Sequence, residues 1–137
     1  MYIIVVGCGR VGSDLALRLS RQGHDVTVID HVGSSFKHLD PEYRGRTIEA
    51  EPLAEDVLKK AGIERADALA AVTSSDTTNA VVAQVAKAVF KVPRVVSRNF
   101  DPRWLPVHEA MKLQVVTTTL WGSQRMEELL TAGEAQS

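Results

Sequence analysis

Apolar runs alternate with helical patterns along the whole chain. A near-continuous β-branched run is typical of a parallel strand that helices cover on both faces. Apolar positions three or four residues apart are typical of an amphipathic helix. Runs of the first kind predict strands at residues 2–6, 25–29, 47–49, 68–72, 95–97 and 114–117. Their alternation with helices predicts a doubly wound α/β Rossmann fold, whose six mainly parallel strands have the order 3-2-1-4-5-6 with helices on both faces.

Helical patterns fill the intervals between these runs. Val11, Leu15, Ala16 and Leu19 share one face of the first helix, and Gly23 ends it. Further helices are expected at about 36–39, with Ser34 or Ser35 as the cap, and at 52–62, 76–90 and 102–112. A last helix is expected to carry Met126, Leu129 and Leu130. We therefore predict one domain over residues 1–131, followed by a polar tail at 132–137 that frays.

The first strand runs into a glycine-rich turn that opens the first helix. Gly7 permits a tight turn, Gly9 lets the backbone approach a pyrophosphate, and Gly12 lets the helix pack closely on the strand. The helix N-terminus offers unpaired N–H groups and the positive end of its dipole to phosphates. Asp30 ends the second strand 18 residues after Gly12, where a carboxylate can accept hydrogen bonds from ribose hydroxyls. This context predicts an adenine dinucleotide site; a structural glycine turn without a ligand is the alternative.

Other residues are expected around the same crevice. Thr73 and Ser74 follow the fourth strand, which places them across the crevice from the glycine turn. His31 follows Asp30 and either touches the ribose or is a solvated turn residue. Since a 2′-phosphate needs a cation at this place and Asp30 would repel it, NADP is disfavoured.

Composition excludes several other classes of function. The chain has 137 residues, of which 45% are hydrophobic and 24% charged, and its net charge is −1. These values indicate a folded globule without a general attraction to nucleic acid. Cys8 is the one cysteine, and we interpret it as a small buried residue rather than a redox centre. The spacing of the four histidines predicts no metal site. No apolar run approaches the roughly 20 residues of a membrane span, so we expect a cytoplasmic protein.

Several further segments carry a resemblance to a known family. They are Ile48-Glu49-Ala50-Glu51, Val57 to Ile63, Ala66-Asp67-Ala68, Asp76-Thr77-Thr78-Asn79 and Arg98 to Pro102. Together with the glycine turn, they make the chain similar, from about Tyr2 to Leu130, to the N-terminal nucleotide-binding domain (RCK-N or TrkA-N) of Trk/Ktr potassium-uptake regulators.

This resemblance implies a non-enzymatic regulatory domain that binds NAD or NADH, or alternatively ATP, ADP or AMP. It implies a homodimer or larger homo-oligomer beneath a membrane potassium transporter or channel, at the inner face of the plasma membrane. The resemblance assigns phosphate binding to Gly7, Gly9, Arg10, Val11 and Gly12. It also assigns the ribose to Asp30, the adenine pocket to Glu51 and the rest of the ligand to Thr73 and Ser74.

The chain departs from the family at two points. Ala50-Glu51 replaces the usual Gly-Asp, which extends the carboxylate by one methylene. A further C-terminal ligand domain is usual, and no residues for one follow Leu130, so the chain is either a single-domain subunit or part of a longer protein. The alternative function is the cofactor-binding fragment of an NAD-dependent oxidoreductase; a module that reports the NADH ratio to another partner is a third.

Two surface patterns bear on partners. Trp104, Val107, His108 and Met111 fall at i, i+3, i+4 and i+7, which is compatible with an edge helix on its own sheet. The resemblance favours a subunit interface there, to which Trp121 could contribute. The basic residues Lys91, Arg94, Arg98, Arg103 and Lys112 are interpreted as a solvated face, because Asp101 and Glu109 lie among them.

Overall fold

A computed structural model describes residues 1–54 and 56–133, and six strands of this part form one parallel sheet. The strands are β1 (Tyr2–Val6), β2 (Asp25–Asp30), β3 (Arg46–Glu49), β4 (Ala68–Ala71), β5 (Arg94–Asn99) and β6 (Gln114–Thr117). Their order is β3-β2-β1-β4-β5-β6, and every neighbouring pair is parallel. The predicted fold class and strand order are confirmed.

Strand β1 is the centre of the sheet. All five of its residues are buried, and Ile4 lies opposite Thr27 on β2 and Leu69 on β4. Its side chains alternate between two apolar clusters: Ile4 and Val6 join the larger one, and Ile3 joins the smaller one. Burial on both faces explains why the strand is a continuous apolar run rather than an alternating one.

The helices lie on both faces of this sheet. They are α1 (Arg10–Arg21), α2 (Val57–Lys60), α3 (Asp76–Gln84), α4 (Leu105–Ala110) and α5 (Thr118–Thr131). Short 3₁₀ segments occupy Gly33–His38, Ile63–Arg65 and Pro102–Trp104. Helix α1 packs on the smaller cluster through Val11, Leu15 and Leu19, and α3 contributes Val82 and Ala83 to the larger one.

Three predicted helices are shorter than expected. The helix predicted from residue 52 begins only at Val57, because Asp56 has a φ of 64°, in the left-handed region that a right-handed helix cannot pass through. The helix predicted over 76–90 is α-helical only to Gln84 and continues as a π turn over Val85–Val89. The helix predicted over 102–112 opens as a 3₁₀ turn, and Lys112, with a φ of 54°, ends it.

The predicted cap of the segment after β2 is wrong. This segment is a 3₁₀ helix whose N-cap position is Val32, and neither Ser34 nor Ser35 caps it. Instead, the Gly33 N–H donates to Glu49 Oε1 at 3.1 Å. A carboxylate from the end of β3 therefore replaces the local serine cap.

Helix α5 leaves one face of the sheet uncovered. It buries none of its side chains against the described part of the chain, and Trp121, Met126, Leu129 and Leu130 are all exposed. Beside α1, an apolar groove of about 380 Å³ lies open over β4, β5 and β6. We call it the β4–β6 groove, and its lining includes Val11, Leu15, Ala70, Val72, Val96, Arg98, Val116 and Thr118.

No helix within the described residues is long and apolar enough to cross a membrane. Of the tail predicted at 132–137, residues 134–137 lie outside the described part.

Candidate functional site

A cleft of about 180 Å³ opens at the carboxyl ends of β1, β2 and β4. Six of the predicted site residues line it: Gly7, Gly9, Asp30, His31, Thr73 and Ser74. The structure therefore brings together residues from three separate segments of the chain, as the strand order predicts. Such an edge, where strand order reverses, is where open α/β sheets bind ligands.

The glycine turn is fixed by close backbone contacts. Gly7 has a φ of 111°, and a Cβ built on it would lie 2.8 Å from the backbone of Val72 and Thr73. A Cβ on Gly12 would overlap the Gly7 carbonyl. Gly9 differs, because a Cβ there would meet nothing within 4 Å. The turn is thus closely packed at its first and last glycines and open at the middle one, where a ligand could approach.

Helix α1 begins directly behind Gly9 without a side-chain cap. Gly9 is the N-cap residue, and the first turn carries no acidic side chain. The Ser13 N–H donates to the Gly9 carbonyl at 2.9 Å, which leaves the preceding N–H groups of Arg10, Val11 and Gly12 without an intrahelical acceptor. These N–H groups and the positive end of the helix dipole suit an anion. Arg10 is exposed beside them, whereas Val11 packs towards the core.

Asp30 connects the second strand to the glycine turn. Its side chain is only 13% exposed. Oδ2 accepts the Cys8 N–H and Oδ1 accepts the Val32 N–H, both at 2.8 Å. Since an ionised carboxylate has about four acceptor positions, further positions remain for the hydroxyls of a ribose. His31 is exposed, with its Nδ1 3.9 Å from Asp30 Oδ1.

The opposite wall of the cleft is held by Asn79, a side chain that lies on α3 and is completely buried. Its Oδ1 accepts the Thr73 N–H at 2.8 Å and the Thr73 hydroxyl at 2.7 Å. Its Nδ2 donates to the Thr73 carbonyl at 3.0 Å and to the Arg98 carbonyl at 3.1 Å. The wall residue Thr73 is therefore fixed by a side chain six positions further along the chain.

Glu51 does not line the cleft with the other predicted residues. It is exposed, and the neighbouring Pro52 is buried and lines the cleft in its place. The chain turns after β3, where the Ala50 N–H donates to the Asp30 carbonyl at 3.0 Å. A direct contact between Glu51 and a ligand remains a prediction.

Sequence reasoning missed several lining residues: Cys8, Ile29, Val32, Ser35 and Pro52. The Cys8 thiol is fully buried, and this burial, followed by the nearby charge of Asp30, raises its pKa to about 11. Since the thiolate is the reactive form, the thiol has little reactivity near neutral pH. His38, also missed, lies with its Nδ1 3.0 Å from the Cys8 carbonyl.

The largest cavity, about 640 Å³, lies at the other end of the sheet, near the start of β5 and β6. Lys87, Arg94 and Lys112 contribute to its lining, and no residue of the glycine turn does. The predicted basic face is thus divided: Lys112 lines this cavity, Arg94 lines both the cavity and the β4–β6 groove, and Arg98 lies in the groove. Arg103 pairs with Asp101 at 2.6 Å. This cavity contains neither the glycine turn nor Asp30, the features on which the predicted nucleotide site depends.

Comparison with known proteins identifies the family of this chain. The model of the TrkA-N domain matches residues 3–118. The chain belongs to the TrkA-N family.

Relatives of this TrkA-N domain include potassium-uptake proteins. It is 42% identical over 134 residues to the Trk system potassium uptake protein TrkA of Streptomyces coelicolor, a match that covers 97% of this chain and 60% of the relative. The chain thus spans less than two thirds of that protein's length.

Solved structures share the fold of this TrkA-N domain. The GsuK channel bound to NAD has a TM-score of 0.82 at 23% identity, over 98% of this chain and 24% of that one. The Shewanella denitrificans Kef CTD in its AMP-bound form also has a TM-score of 0.82, at 20% identity, over 97% of this chain and 82% of that one.

The predicted interface stripe on α4 of the TrkA-N domain is divided between core and surface. His108 is buried, with Nδ1 3.0 Å from the Trp104 carbonyl and Nε2 3.4 Å from Ser97 Oγ. Met111 packs on the larger apolar cluster, while Val107 is exposed. The alternative of an edge helix on its own sheet therefore describes His108 and Met111. The exposed apolar surface lies instead on α5, which includes Trp121.

Proposed function

We propose that this TrkA-N domain binds an adenine nucleotide and thereby regulates a membrane potassium transporter or channel, without catalysing a reaction. The observation that carries this proposal is the uncapped N-terminus of α1 beside the open space at Gly9, with Asp30 on the same cleft. One end of the cleft suits phosphates, and the other suits a ribose with free hydroxyls.

The ligand is NAD or NADH, with ATP, ADP or AMP as the alternative. Backbone N–H groups over residues 9–12 hold the phosphates, with Arg10 beside them. Asp30 holds the adenosine ribose, and its negative charge disfavours the 2′-phosphate of NADP. His31 borders the ribose, Thr73 and Ser74 face the remainder of the ligand, and Glu51 reaches the adenine edge from outside the cleft. The NAD and AMP in the two similar structures support this choice by analogy of fold.

A regulatory role is favoured over an oxidoreductase fragment. A dehydrogenase needs an acid–base group beside the nicotinamide. Of the titratable groups that line the described cleft, Cys8 has a pKa too high to serve, and both oxygens of Asp30 accept backbone N–H groups. His31 also lines the cleft, but it lies beside Asp30, at the end that this proposal gives to the adenosine ribose rather than to the nicotinamide. Membership of the TrkA-N family supports the same choice.

The first partner of this domain is a second copy of the chain, which covers the open face of its sheet. A parallel sheet is ordinarily covered on both faces, yet the β4–β6 groove is open and α5 carries an uncovered apolar side. Met126, Leu129 and Leu130 of α5 fall at i, i+3 and i+4. Glu127, three residues before Leu130, borders them, and Arg94 and Arg98 lie in the groove. Helix α5 of each copy therefore fits the groove of the other in apolar character and in charge.

The place of this domain in the cell follows from its partner. As a regulator of a membrane transporter, it acts at the cytoplasmic face of the plasma membrane, where it is attached through the transporter. Nucleotide occupancy can alter transport only if the ligand binds two assembly states with different affinities.

Ligand binding is tested by thermal unfolding in the presence of NAD, NADH, NADP, ATP, ADP or AMP. Ligand at 100 times its dissociation constant stabilises the folded state by about 2.7 kcal/mol, which raises the Tm of a domain of this size by about 5 to 10 °C. Asp30→Ala should remove this shift, and Asp14→Ala, which removes an exposed carboxylate from α1, should retain it.

A flat response to all six nucleotides would contradict the proposal. A shift that survives in Asp30→Ala would contradict the assigned site. Turnover of NADH with small carbonyl compounds would support the oxidoreductase alternative.

Self-association is tested by sedimentation velocity across a range of concentrations. Leu129→Glu should shift the chain towards the monomer because it places a charge in the apolar contact. Gln124→Glu adds the same charge on the polar side of α5 and should leave the dimer intact. A monomer at every concentration in the unaltered chain would contradict the proposed assembly.

A further inference from the structure

A continuous set of hydrogen bonds joins the nucleotide cleft to the β4–β6 groove. It starts at Thr73 in the cleft wall, whose N–H, hydroxyl and carbonyl all bond to the Asn79 amide. The same amide donates to the Arg98 carbonyl on β5 at 3.1 Å. Asn79 is thus the side chain through which the loop after β4 and the end of β5 are held together.

A second set of hydrogen bonds connects the start of α3 to the chain after β5. The carboxylate of Asp76, in the first turn of α3, accepts the Phe100 N–H at 2.7 Å and the Asp101 N–H at 3.0 Å. The start of α3 therefore binds both the cleft wall and the chain that leaves β5. A displacement of Thr73 would therefore strain hydrogen bonds that are partly buried.

The far end of this set lies in the groove. The Arg98 side chain lines it, with its Cζ 4.0 Å from the centre of the Phe100 ring. Its Nε is buried and has no hydrogen-bond partner among the described residues. Burial lowers the pKa of this guanidinium, and the charge of Asp76 opposes that effect. The Nε is enclosed, but Arg98 also lines the groove, where the rest of its guanidinium can pair with a carboxylate from another molecule.

We propose that Asn79 is the positioning residue that couples the two sites: it transmits ligand contact at Thr73 to Arg98, which pairs with Glu127 of the second copy. A nucleotide that contacts Thr73 favours one position of the loop after β4. Because Asn79 also bonds to the Arg98 carbonyl, a shift of this loop moves the Arg98 backbone. The guanidinium then lies nearer to the partner's carboxylate or further from it. This inference rests on the proposed nucleotide binding and self-association.

The competing interpretation is that Asn79 only stabilises the fold. The two interpretations differ in a thermodynamic quantity: the ratio of the dimer dissociation constants without and with nucleotide. A purely structural amide affects stability and leaves this ratio unchanged, whereas a coupling residue changes the ratio.

The experiment measures that ratio by sedimentation equilibrium in the absence and presence of saturating NAD, and again with ADP. In the unaltered chain we expect a ratio that differs from one by about 5- to 150-fold. In Asn79→Ser and in Arg98→Met we expect a ratio within about twofold of one, since typical coupling is then lost. Val82→Ala removes buried volume from the same helix and should lower the Tm while keeping the ratio.

Different results would contradict nucleotide-regulated assembly and the coupling role of Asn79. A ratio of one in the unaltered chain, despite binding and dimerisation, would overturn nucleotide-regulated assembly itself. A ratio that is normal in the unaltered chain and unchanged in Asn79→Ser would overturn only the role of Asn79. Should Asn79→Ser fail to fold, Arg98→Met decides, because it leaves the Thr73–Asn79 bonds in place; an unchanged ratio there would equally overturn the inference.

Discussion

The nucleotide cleft and the β4–β6 groove both border helix α1, but the chain completes only one of them. In the cleft, Asp30 and Asn79 satisfy the backbone of the glycine turn and of the opposite wall. In the groove, apolar side chains such as Val116, 38% exposed, meet no covering helix among the described residues. A site for a small ligand can be formed within one chain, whereas the uncovered sheet face is the surface on which we propose that a second copy packs.

The largest loss of folding stability should come from a substitution at the closely packed side of the cleft. Gly7→Ala places a Cβ against the Val72 and Thr73 backbone in a left-handed conformation, so we expect a loss of about 3 kcal/mol in the free energy of unfolding. Urea denaturation measures it. Gly9→Ala is the matched control, because its Cβ has free space: its stability should be nearly unchanged while nucleotide affinity falls. Equal stabilities for the two variants would show that the turn is not packed as described.

Asp30 should have the next largest effect. In Asp30→Ala the Cys8 and Val32 N–H groups lose their acceptor, which should lower the ligand-free stability by about 2 kcal/mol. Asp14→Ala removes an exposed i, i+4 pair with Arg18 and should cost no more than about 0.5 kcal/mol. If both variants unfold at the same urea concentration, Asp30 does not organise the empty cleft.

Cys8 gives the cleft a pH dependence in the alkaline range. The folded-state pKa of its thiol is raised to about 11 from an ordinary 9.0. The stabilising contribution is therefore complete below pH 9 and is lost as the pH rises towards 11, by up to about 2 kcal/mol. The difference in unfolding free energy between the unaltered chain and Cys8→Ser should shrink over this range. A constant difference from pH 8 to 10.5 would contradict the raised pKa.

The smallest effect on folding should come from the groove. Val116→Ser should change the stability of the dilute monomer by less than about 0.5 kcal/mol, while it weakens the dimer about tenfold, equivalent to about 1.4 kcal/mol. Val115→Ser alters the adjacent residue, which packs on the larger cluster, and should cost about 1 to 2 kcal/mol in folding. A reversed order of the two stabilities would mean that β6 presents its opposite face.

The first part of the chain was predictable because its signals are local. The apolar runs of β1 and β2, the spacing of the glycines and the position of Asp30 all lie within 30 residues, and each has a stereochemical reason. The strand order followed from the alternation of elements. The residues of the opposite wall, Thr73 and Ser74, followed in turn from that order.

Other features depend on contacts that the local pattern does not contain. The late start of α2 follows from the left-handed Asp56, and the missing serine cap follows from Glu49, 16 residues away from Gly33. Burial of His108 is set by its packing beside Ser97, although its helical spacing equally suits an interface. The role of Asn79 depends on β5 lying beside β4, which only the folded sheet provides.

The bonds that Asp30 makes to the glycine turn also bear on the time response of the site. The protein's own groups fix the conformation of the turn, so a nucleotide that binds as we propose would not have to supply the entropy of ordering it. Its affinity then reflects direct contacts, and its association does not wait for a slow rearrangement of that turn. Occupancy of such a cleft can follow the surrounding nucleotide concentration closely, which is the property that distinguishes a sensor from a storage site.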